Sequence, residues 1–330
     1  MISIRDIAKR VGMSSSTVSR VVNGKSNVND ETREKILKVI EESGYVPNRA
    51  AQNMVMKRSF TIGIVIPAMF NMFQRQLFSV MERGLELFGY RTFFFFVEPN
   101  EASEEACIRG MQAENLDGAI ILQDIQDARF CEYLRRSRLP VVFSTIECED
   151  FPTVHIDDER AAIDAVAHLV ELGHRDIVMI SSGGFTFGNM RMKGFLQALR
   201  SAGLPAEEDR VLYTESYTAE AGMQGMKELL RRRNGFSAVY AATDELAIGA
   251  MRALADAGIR VPEDVSVIGL DDIEISSYMI PRLTTIQQPL DELGERTVSM
   301  LQQYIDEDYS DEKRIILPHR LVVRDSTASR

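Results

Sequence analysis

The sequence predicts a small all-α helix-turn-helix headpiece followed by a larger α/β bilobed domain made of two doubly wound parallel-sheet subdomains. Three observations carry this. The first 58 residues hold 11 Lys and Arg against 6 Asp and Glu, and the rest hold 27 against 43, so a basic head precedes an acidic body. Apolar residues in the head recur at helical spacing, with glycines at the breaks. The body alternates short, near-continuous apolar runs with longer amphipathic stretches, the pattern of parallel strands covered on both faces by helices.

The head reads as three short helices. Ile4, Ile7, Ala8 and Val11 form one apolar stripe, and Gly12 breaks it. A second helix opens at Ser14 or Ser15, with Ser14 as its N-cap. Its core face is Val18, Val21 and Val22, which leaves Ser15, Ser16, Ser19 and Arg20 facing outward. Short hydroxyls near a helix N-terminus let the backbone approach base edges in a major groove, and an arginine there can fork onto guanine O6 and N7. A third helix starts near Asn29 or Asp30, buries Ile36, Leu37, Val39 and Ile40, and stops at Gly44, a residue suited to the left-handed C-cap.

Residues 47–58, PNRAAQNMVMKR, join head to body. Asn48 follows Pro47 as a plausible N-cap, and Ala50, Ala51, Gln52, Asn53 and Met54 favour one short helix. A helix that short is marginal alone in water.

The body begins with FTIGIVI at 60, an amphipathic helix carrying Leu77, Val80, Met81, Leu85 and Phe88, and TFFFFV at 92. GAIIL at 118, VVFS at 141, TVHI at 153, DIVMI at 176, SAVYA at 237 and VSVIG at 265 continue the alternation. About 270 residues is large for one doubly wound sheet, so two lobes are expected. The boundaries read as 1–46 for the headpiece, 47–58 for the hinge helix and 59–330 for the bilobed α/β domain. Within the last, one subdomain takes about 59–158 and 290–325, the other about 159–289. Crossings fall near 155–165 and 283–295, and RIILPHRLVV reads as one terminal strand.

In open parallel sheets ligands sit beyond the carboxyl ends of the strands. Pro67, Met69, Phe70, Asn71 and Phe73 follow the first strand, and Ser181, Phe185, Phe187 and Arg191 follow DIVMI. Thr243 and Asp244 follow SAVYA, and Asp271 follows VSVIG. Arg191 and Asp271 offer opposite hydrogen-bond polarity to hydroxyls or a carboxylate, and the phenylalanines offer flat apolar faces. Taken singly, an Asp there is more often a helix cap and a Phe more often lobe packing.

Several classes are excluded or disfavoured. Cys107, Cys131 and Cys148 form no CxxC pair and are expected to be reduced. No apolar run reaches the ~18 residues that span a bilayer, and MISIRDIAKR lacks the start of a signal peptide, so a cytoplasmic protein without membrane contact is expected. HRD at 174–176 resembles a kinase catalytic loop, but Ser181 stands where Asn is required and a strand follows. Gly183, Gly184 and Gly188 are not followed by GK[ST], no GxSxG elbow occurs, and no histidines pair at metal-ligand spacing. His155 and His168 read as structural. No catalytic residue, metal or cofactor is expected.

The stretch IRDIAKRVGMSSSTVSRVVNGKSNVNDETREKILKVIEESGYVPNRAAQNM resembles the headpiece of the lactose and galactose repressor (LacI/GalR) family. The likeness rests on the DIA start, the turn glycine Gly12, TVSRVVNG at 17–24, the TREK opening of the third helix and GYVPNRAA before the hinge. The body is similar to the family's periplasmic-binding-protein-like domain, through HLVELGHRDIVMI, RMKGF at 191–195, AATDELAIGAMRAL, VSVIGLDD and PRLTTIQQP. The resemblance implies a cytoplasmic homodimer that binds a pseudo-palindromic operator in double-stranded DNA. Ser15, Ser16 and Arg20 correspond to base-reading positions, and Ser14, Thr17 and Asn23 to phosphate-contacting ones. Asn48 and Arg49 lie in the hinge, and Met54 matches the residue, usually Leu, that wedges between base steps when two hinge helices fold on DNA. Methionine pays more ordering entropy than leucine, so a softer kink or a weaker operator grip is expected.

Phe70, Phe187, Arg191, Thr243 and Asp271 are the implied effector contacts, for a sugar or sugar derivative bound between the lobes. Thr243 replaces an Asn frequent in the family, and PAMFNMFQ is unusually apolar. The expected function is a DNA-binding repressor of a carbohydrate or other catabolic operon, controlled by that effector. The alternative is a regulator activated by a corepressor or partner protein, and a more remote one a cytoplasmic sugar-binding or sugar-modifying protein.

Overall fold

A computed structural model describes every residue except 1, 23–27, 46–57, 69–70, 99, 126, 233–234 and 309–311. The hinge helix and the assignments at Asn23, Asn48, Arg49, Met54, Met69 and Phe70 lie outside the described residues. The chain divides into two compact units, Met1–Phe60 and Thr61–Arg330.

The first unit holds α1 (Ile4–Val11), α2 (Ser15–Val22) and α3 (Asp30–Ser43). Each helix is bounded by its own sequence signals. Ser3 and Asp6 form a capping box at the start of α1, and Gly12 ends it at φ 75°. Asn29 caps α3 by accepting the Thr32 N–H at 2.8 Å, and Gly44 closes it at φ 61°. Ile7, Val11, Val18, Val21, Ile36 and Tyr45 form the core. Leu37, expected on the buried side of α3, is instead 49% exposed, because it lies about 100° around the helix from Ile36, off the face that Ile36, Val39 and Ile40 turn to the core.

The second unit contains two six-stranded sheets. The first lobe begins with β1 (Thr61–Pro67), α4 (Met72–Leu87), β2 (Arg91–Val97), α5 (Glu101–Ala113) and β3 (Gly118–Ile121). It continues through α6 (Ala128–Ser137), β4 (Val141–Ser144) and β5 (Thr153–Ile156). The chain then crosses to the second lobe, with α7 (Asp158–Glu171), β6 (Ile177–Ser182), α8 (Thr186–Ser201), β7 (Val211–Thr214) and α9 (Ala219–Arg232). That lobe is completed by β8 (Ala238–Ala241), α10 (Asp244–Asp256), β9 (Ser266–Asp271) and β10 (Thr284–Gln287). The chain returns with α11 (Leu290–Ile305) and β11 (Arg314–Leu317) to the first sheet, then crosses again to β12 (Arg320–Val322) in the second.

Sheet order is β11-β5-β4-β3-β1-β2 in one lobe and β12-β10-β9-β8-β6-β7 in the other. All neighbours are parallel except β12, which runs antiparallel to β10. Helices cover the faces of both sheets, which is why β1, β3, β6, β8 and β9 read as unbroken apolar runs. The edge strands differ: Phe96 of β2 is 60% exposed, and Tyr213 of β7 and Ile316 of β11 are exposed as well.

The third crossing corrects the boundary expected at about 325. RIILPHRLVV is two strands, divided at Pro318, which has no N–H to donate. The terminal residues stay with the second lobe: the Val267 N–H donates to the Ser326 carbonyl at 2.8 Å, and the Arg330 N–H to the Leu172 carbonyl at 2.8 Å. Helices α9 and α10 cross so closely that a Cβ on Gly249 would collide with the Ala219 carbonyl oxygen, and one on Gly222 with that of Leu246.

Candidate functional site

In the first unit, Ser14 caps α2 as expected: its Oγ accepts the Thr17 N–H at 3.1 Å and lies 2.8 Å from the hydroxyls of both Ser16 and Thr17. The cap ties these hydroxyls to the helix start. Ser15, Ser16 and Arg20 are exposed, while Thr17 and Ser19 are half-buried. Among the described residues, α2 thus turns a short polar face with Arg20 to solvent.

In the second unit the strands of both lobes end at one cleft, which encloses about 510 Å³ including its open mouth. Phe187, Arg191, Thr243 and Asp271 all line it, together with Pro67, Asn71, Phe73 and Phe185. Ser181 and Asp244 do not. Ser181 is buried with its Oγ on the Gly188 carbonyl at 3.3 Å, and Asp244 is buried behind the lining. Strand-end reasoning missed Asp124 after β3, Thr145 after β4, Tyr217 after β7 and Gln288 after β10. The same rule would have reached Asp124, whereas β7 and β10 did not stand out as strands.

Arg191 is the centre of the cleft floor and is only 5% exposed at its side chain. It sits one turn inside α8, whose first turn presses on β6 so tightly that a Cβ on Gly188 would meet the Ser182 carbonyl oxygen. Gly188 serves this approach, and Gly184 turns the chain at φ 81°. Arg191 Nε donates to Asp158 Oδ1 at 2.7 Å, Nη1 donates to the Ala242 carbonyl, and Nη1 lies 3.8 Å from Asp271 Oδ1. The guanidinium carbon stands 4.9 Å above the Phe187 ring, a cation–π arrangement. Phe185 and Tyr217 pack against Phe187 at centroid distances of 5.5 and 5.7 Å.

Asp271 holds φ 134°, a conformation costly for any residue with a side chain. The turn after it is over-determined. Buried Asp244 accepts the Ile273 N–H at 3.0 Å, the Ser276 hydroxyl at 2.6 Å and the Thr285 hydroxyl at 2.5 Å. Asp272 accepts Arg324 at 2.6 Å and Gln287 at 2.7 Å, while Gln288 Nε2 donates to Asp271 Oδ1 at 2.8 Å. Thr243 is the N-cap of α10, accepting the Leu246 N–H at 3.2 Å, so it combines the cap role with a place on the lining.

Burial raises the Asp271 carboxyl above the ordinary aspartate range, with Arg191 opposing and Asp244 adding to the rise. Asp158 is likewise raised by burial against the pull of Arg191. Burial also works against the Arg191 cation, but Asp158 and Asp271 outweigh it and hold it charged. Asp124 is raised by burial and opposed by hydrogen bonds from Thr186.

The histidines have structural partners. His155 Nδ1 lies 2.7 Å from the Ile156 carbonyl, His168 Nε2 3.1 Å from the Thr327 hydroxyl, and His174 between Ser237 at 2.9 Å and Ser266 at 3.0 Å. Cys107, Cys131 and Cys148 are free thiols. Among the described residues, no group of three His, Cys, Asp or Glu is placed to hold a metal, and no helix is long and apolar enough to cross a membrane.

Residues 3–48 match the family of bacterial regulatory proteins of the lacI type, and residues 166–327 match a periplasmic binding protein-like domain. The chain is 33% identical over 330 residues to catabolite control protein A of Priestia megaterium, covering 99% of each. Among solved structures it is similar to the Lac repressor dimer bound to operator and the anti-inducer ONPF, with TM-score 0.89, 29% identity and 99% of each chain covered. It is also similar to a complex of the transcriptional regulator CelR with cellobiose, with TM-score 0.75, 28% identity and coverage of 99% of this chain and 100% of that one.

Proposed function

The chain belongs to the LacI family of bacterial regulatory proteins and is a DNA-binding transcriptional regulator, and we propose that it is a repressor whose grip on an operator is set by a small molecule held in the inter-lobe cleft. The observation that carries this is the convergence of both lobes' strand ends on Arg191 and Asp271 in a chain that also presents the polar face of α2. Ser15, Ser16 and Arg20 read bases in the major groove, and Ser14 and Thr17 hold phosphates. Asn23, Asn48, Arg49 and Met54 join them on the strength of the sequence resemblance. The effector is a sugar or sugar derivative, a reading supported by the cellobiose complex of CelR. It packs on Phe187 and bonds Arg191, Thr243 and Asp271. The protein works as a cytoplasmic homodimer on a pseudo-palindromic site and carries out no catalysis. A ligand acts by binding one lobe arrangement better than the other, so its effect on DNA equals that difference in affinity.

A mobility-shift titration on the DNA upstream of the protein's own gene, with and without candidate saccharides, tests the reading. Release from DNA by a saccharide marks an inducer, and tightening marks a corepressor. No binding to any upstream fragment, or no response to any saccharide, overturns it.

A further inference from the structure

We infer that a second cavity, beside the cleft and distinct from it, binds a small primary amine as its ammonium ion. It encloses about 670 Å³ including its open mouth, and residues of the first crossing between the lobes, His155 to Glu159, form one wall. Thr145, Ile146 and Phe187 border both spaces, whereas Arg191, Thr243 and Asp271 border only the cleft.

The observation that carries this is His155. The residue is 4% exposed, it lines the cavity, and its Nδ1 stands 2.7 Å from the Ile156 carbonyl oxygen. A carbonyl oxygen only accepts, so Nδ1 holds the proton of the neutral ring and Nε2 is left as an acceptor. Among the described residues, that Nε2 is buried with no hydrogen-bond partner. Such an atom costs stability until something donates to it.

The rest of the lining has the same polarity. Glu147, Asp157, Asp158 and Glu159 lie on it, and among the described residues no lysine, arginine or amide side chain does. Its two hydroxyls are engaged, Thr145 on the Ser144 carbonyl and Thr186 on Asp124. Cations behind the lining pair with three of the carboxylates: Arg314 with Glu147 at 2.8 Å, Lys193 with Glu159 at 2.8 Å and Arg191 with Asp158 at 2.7 Å. Asp157 differs. It accepts the Arg160 N–H at 2.9 Å as the N-cap of α7, while the Arg160 guanidinium turns to Asp164 at 2.9 Å. An ammonium group brings three donors and no acceptor, the complement of a histidine lone pair beside such carboxylates. A carboxylate or phosphate would set acceptors against acceptors. Ile146, Phe187, Met190 and Ile316 supply apolar wall, with Ile316 opposite His155 in the β5–β11 register, so the amine carries a short alkyl chain.

Nuclear magnetic resonance of the full-length protein with isotope-labelled histidine tests this, in titrations at constant ionic strength. The probes are n-butylammonium, 1-butanol, which has the chain without the charge, and tetramethylammonium, which has the charge without a donor. n-Butylammonium is expected to shift the His155 Nε2 resonance saturably and to bind at least about tenfold tighter than either control. His155→Phe should weaken it about tenfold, and Asp157→Asn, which keeps an acceptor for the cap, about threefold. If His155→Phe does not fold, Asp157→Asn and the Nε2 resonance decide the matter. Equal binding of either control, a silent Nε2 resonance or unchanged affinity in the folded variants overturns the inference. So does the absence of binding, which would leave the cavity to water.

Discussion

Asp124 Oδ2 accepts the backbone N–H of Thr186 at 2.7 Å, so a carboxylate of the first lobe caps a helix of the second. Helix α8 needs this partner, because its N-cap residue is Phe185, which has no acceptor to offer. Glu245 of the second lobe answers it by accepting the Met72 N–H at the start of α4. The two bonds form a reciprocal latch across the cleft. Charge-assisted bonds of this kind, partly exposed, contribute about 1 kcal/mol each. The double variant Asp124→Ala, Glu245→Ala should therefore populate more open lobes. Small-angle scattering is expected to give a larger radius of gyration than for the unaltered protein, and an identical profile would refute the latch.

Asp271 makes a second prediction, about pH. Its carboxyl is raised by burial in the folded state, so between the ordinary aspartate range near pH ~4 and that raised value the folded chain holds a proton the unfolded chain has lost. Stability contributed by this group is therefore present at low pH and falls as pH rises through the window, the reverse of a salt-bridged carboxylate. Asp271→Asn removes the titration and keeps an acceptor for Gln288. The unfolding temperature of the unaltered protein should drop between about pH 5 and about pH 8 by more than that of Asp271→Asn. Effector binding should be lost in the variant at both pH values. Equal slopes would show that Arg191 neutralises Asp271 fully.

Phe187, Arg191, Thr243 and Asp271 were legible in the sequence because the strands before them, β6, β8 and β9, are unbroken apolar runs whose ends are easy to find. Tyr217 was not, since β7 is a four-residue edge strand with Tyr213 exposed. Gln288 was hidden in the same way, because Thr284–Gln287 is a strand of threonines and glutamine that reads as a connection. Pro318 divides two strands belonging to different sheets, a partition set by tertiary pairing rather than local pattern. Periodicity also cannot show that Asp124 and Thr186, 62 residues apart, meet across a cleft.

Packing of α9 against α10 yields a third prediction. Gly249 faces the Ala219 carbonyl oxygen with no room for a methyl group, and Gly222 faces the Leu246 backbone from the other side. Backbone atoms cannot swing aside as a side chain can. Gly249→Ala gains helix propensity of up to ~1 kcal/mol but forces the helices apart, at a cost of about 1–3 kcal/mol. A net loss of stability in urea unfolding is expected, and a gain would mean the crossing can relax.

The last prediction concerns the head. Arg20 is exposed near the end of α2, beyond the Ser14 cap that ties down the first turn, and the core residues Val18 and Val21 fix which way the helix faces. An arginine so placed can discriminate a guanine by about 1–3 kcal/mol. Its removal leaves the remaining basic residues of the head, and these supply the salt-dependent attraction to phosphates. Arg20→Ala is thus expected to erase preference for the operator over a scrambled duplex while retaining weak, salt-sensitive binding to both. Competition titrations at two salt concentrations separate the terms: a base-reading role lowers operator affinity to the scrambled level, whereas a phosphate role would weaken both duplexes alike and reduce the salt slope by ~1. Unchanged discrimination would remove Arg20 from the reading face and leave Ser15 and Ser16 to carry it.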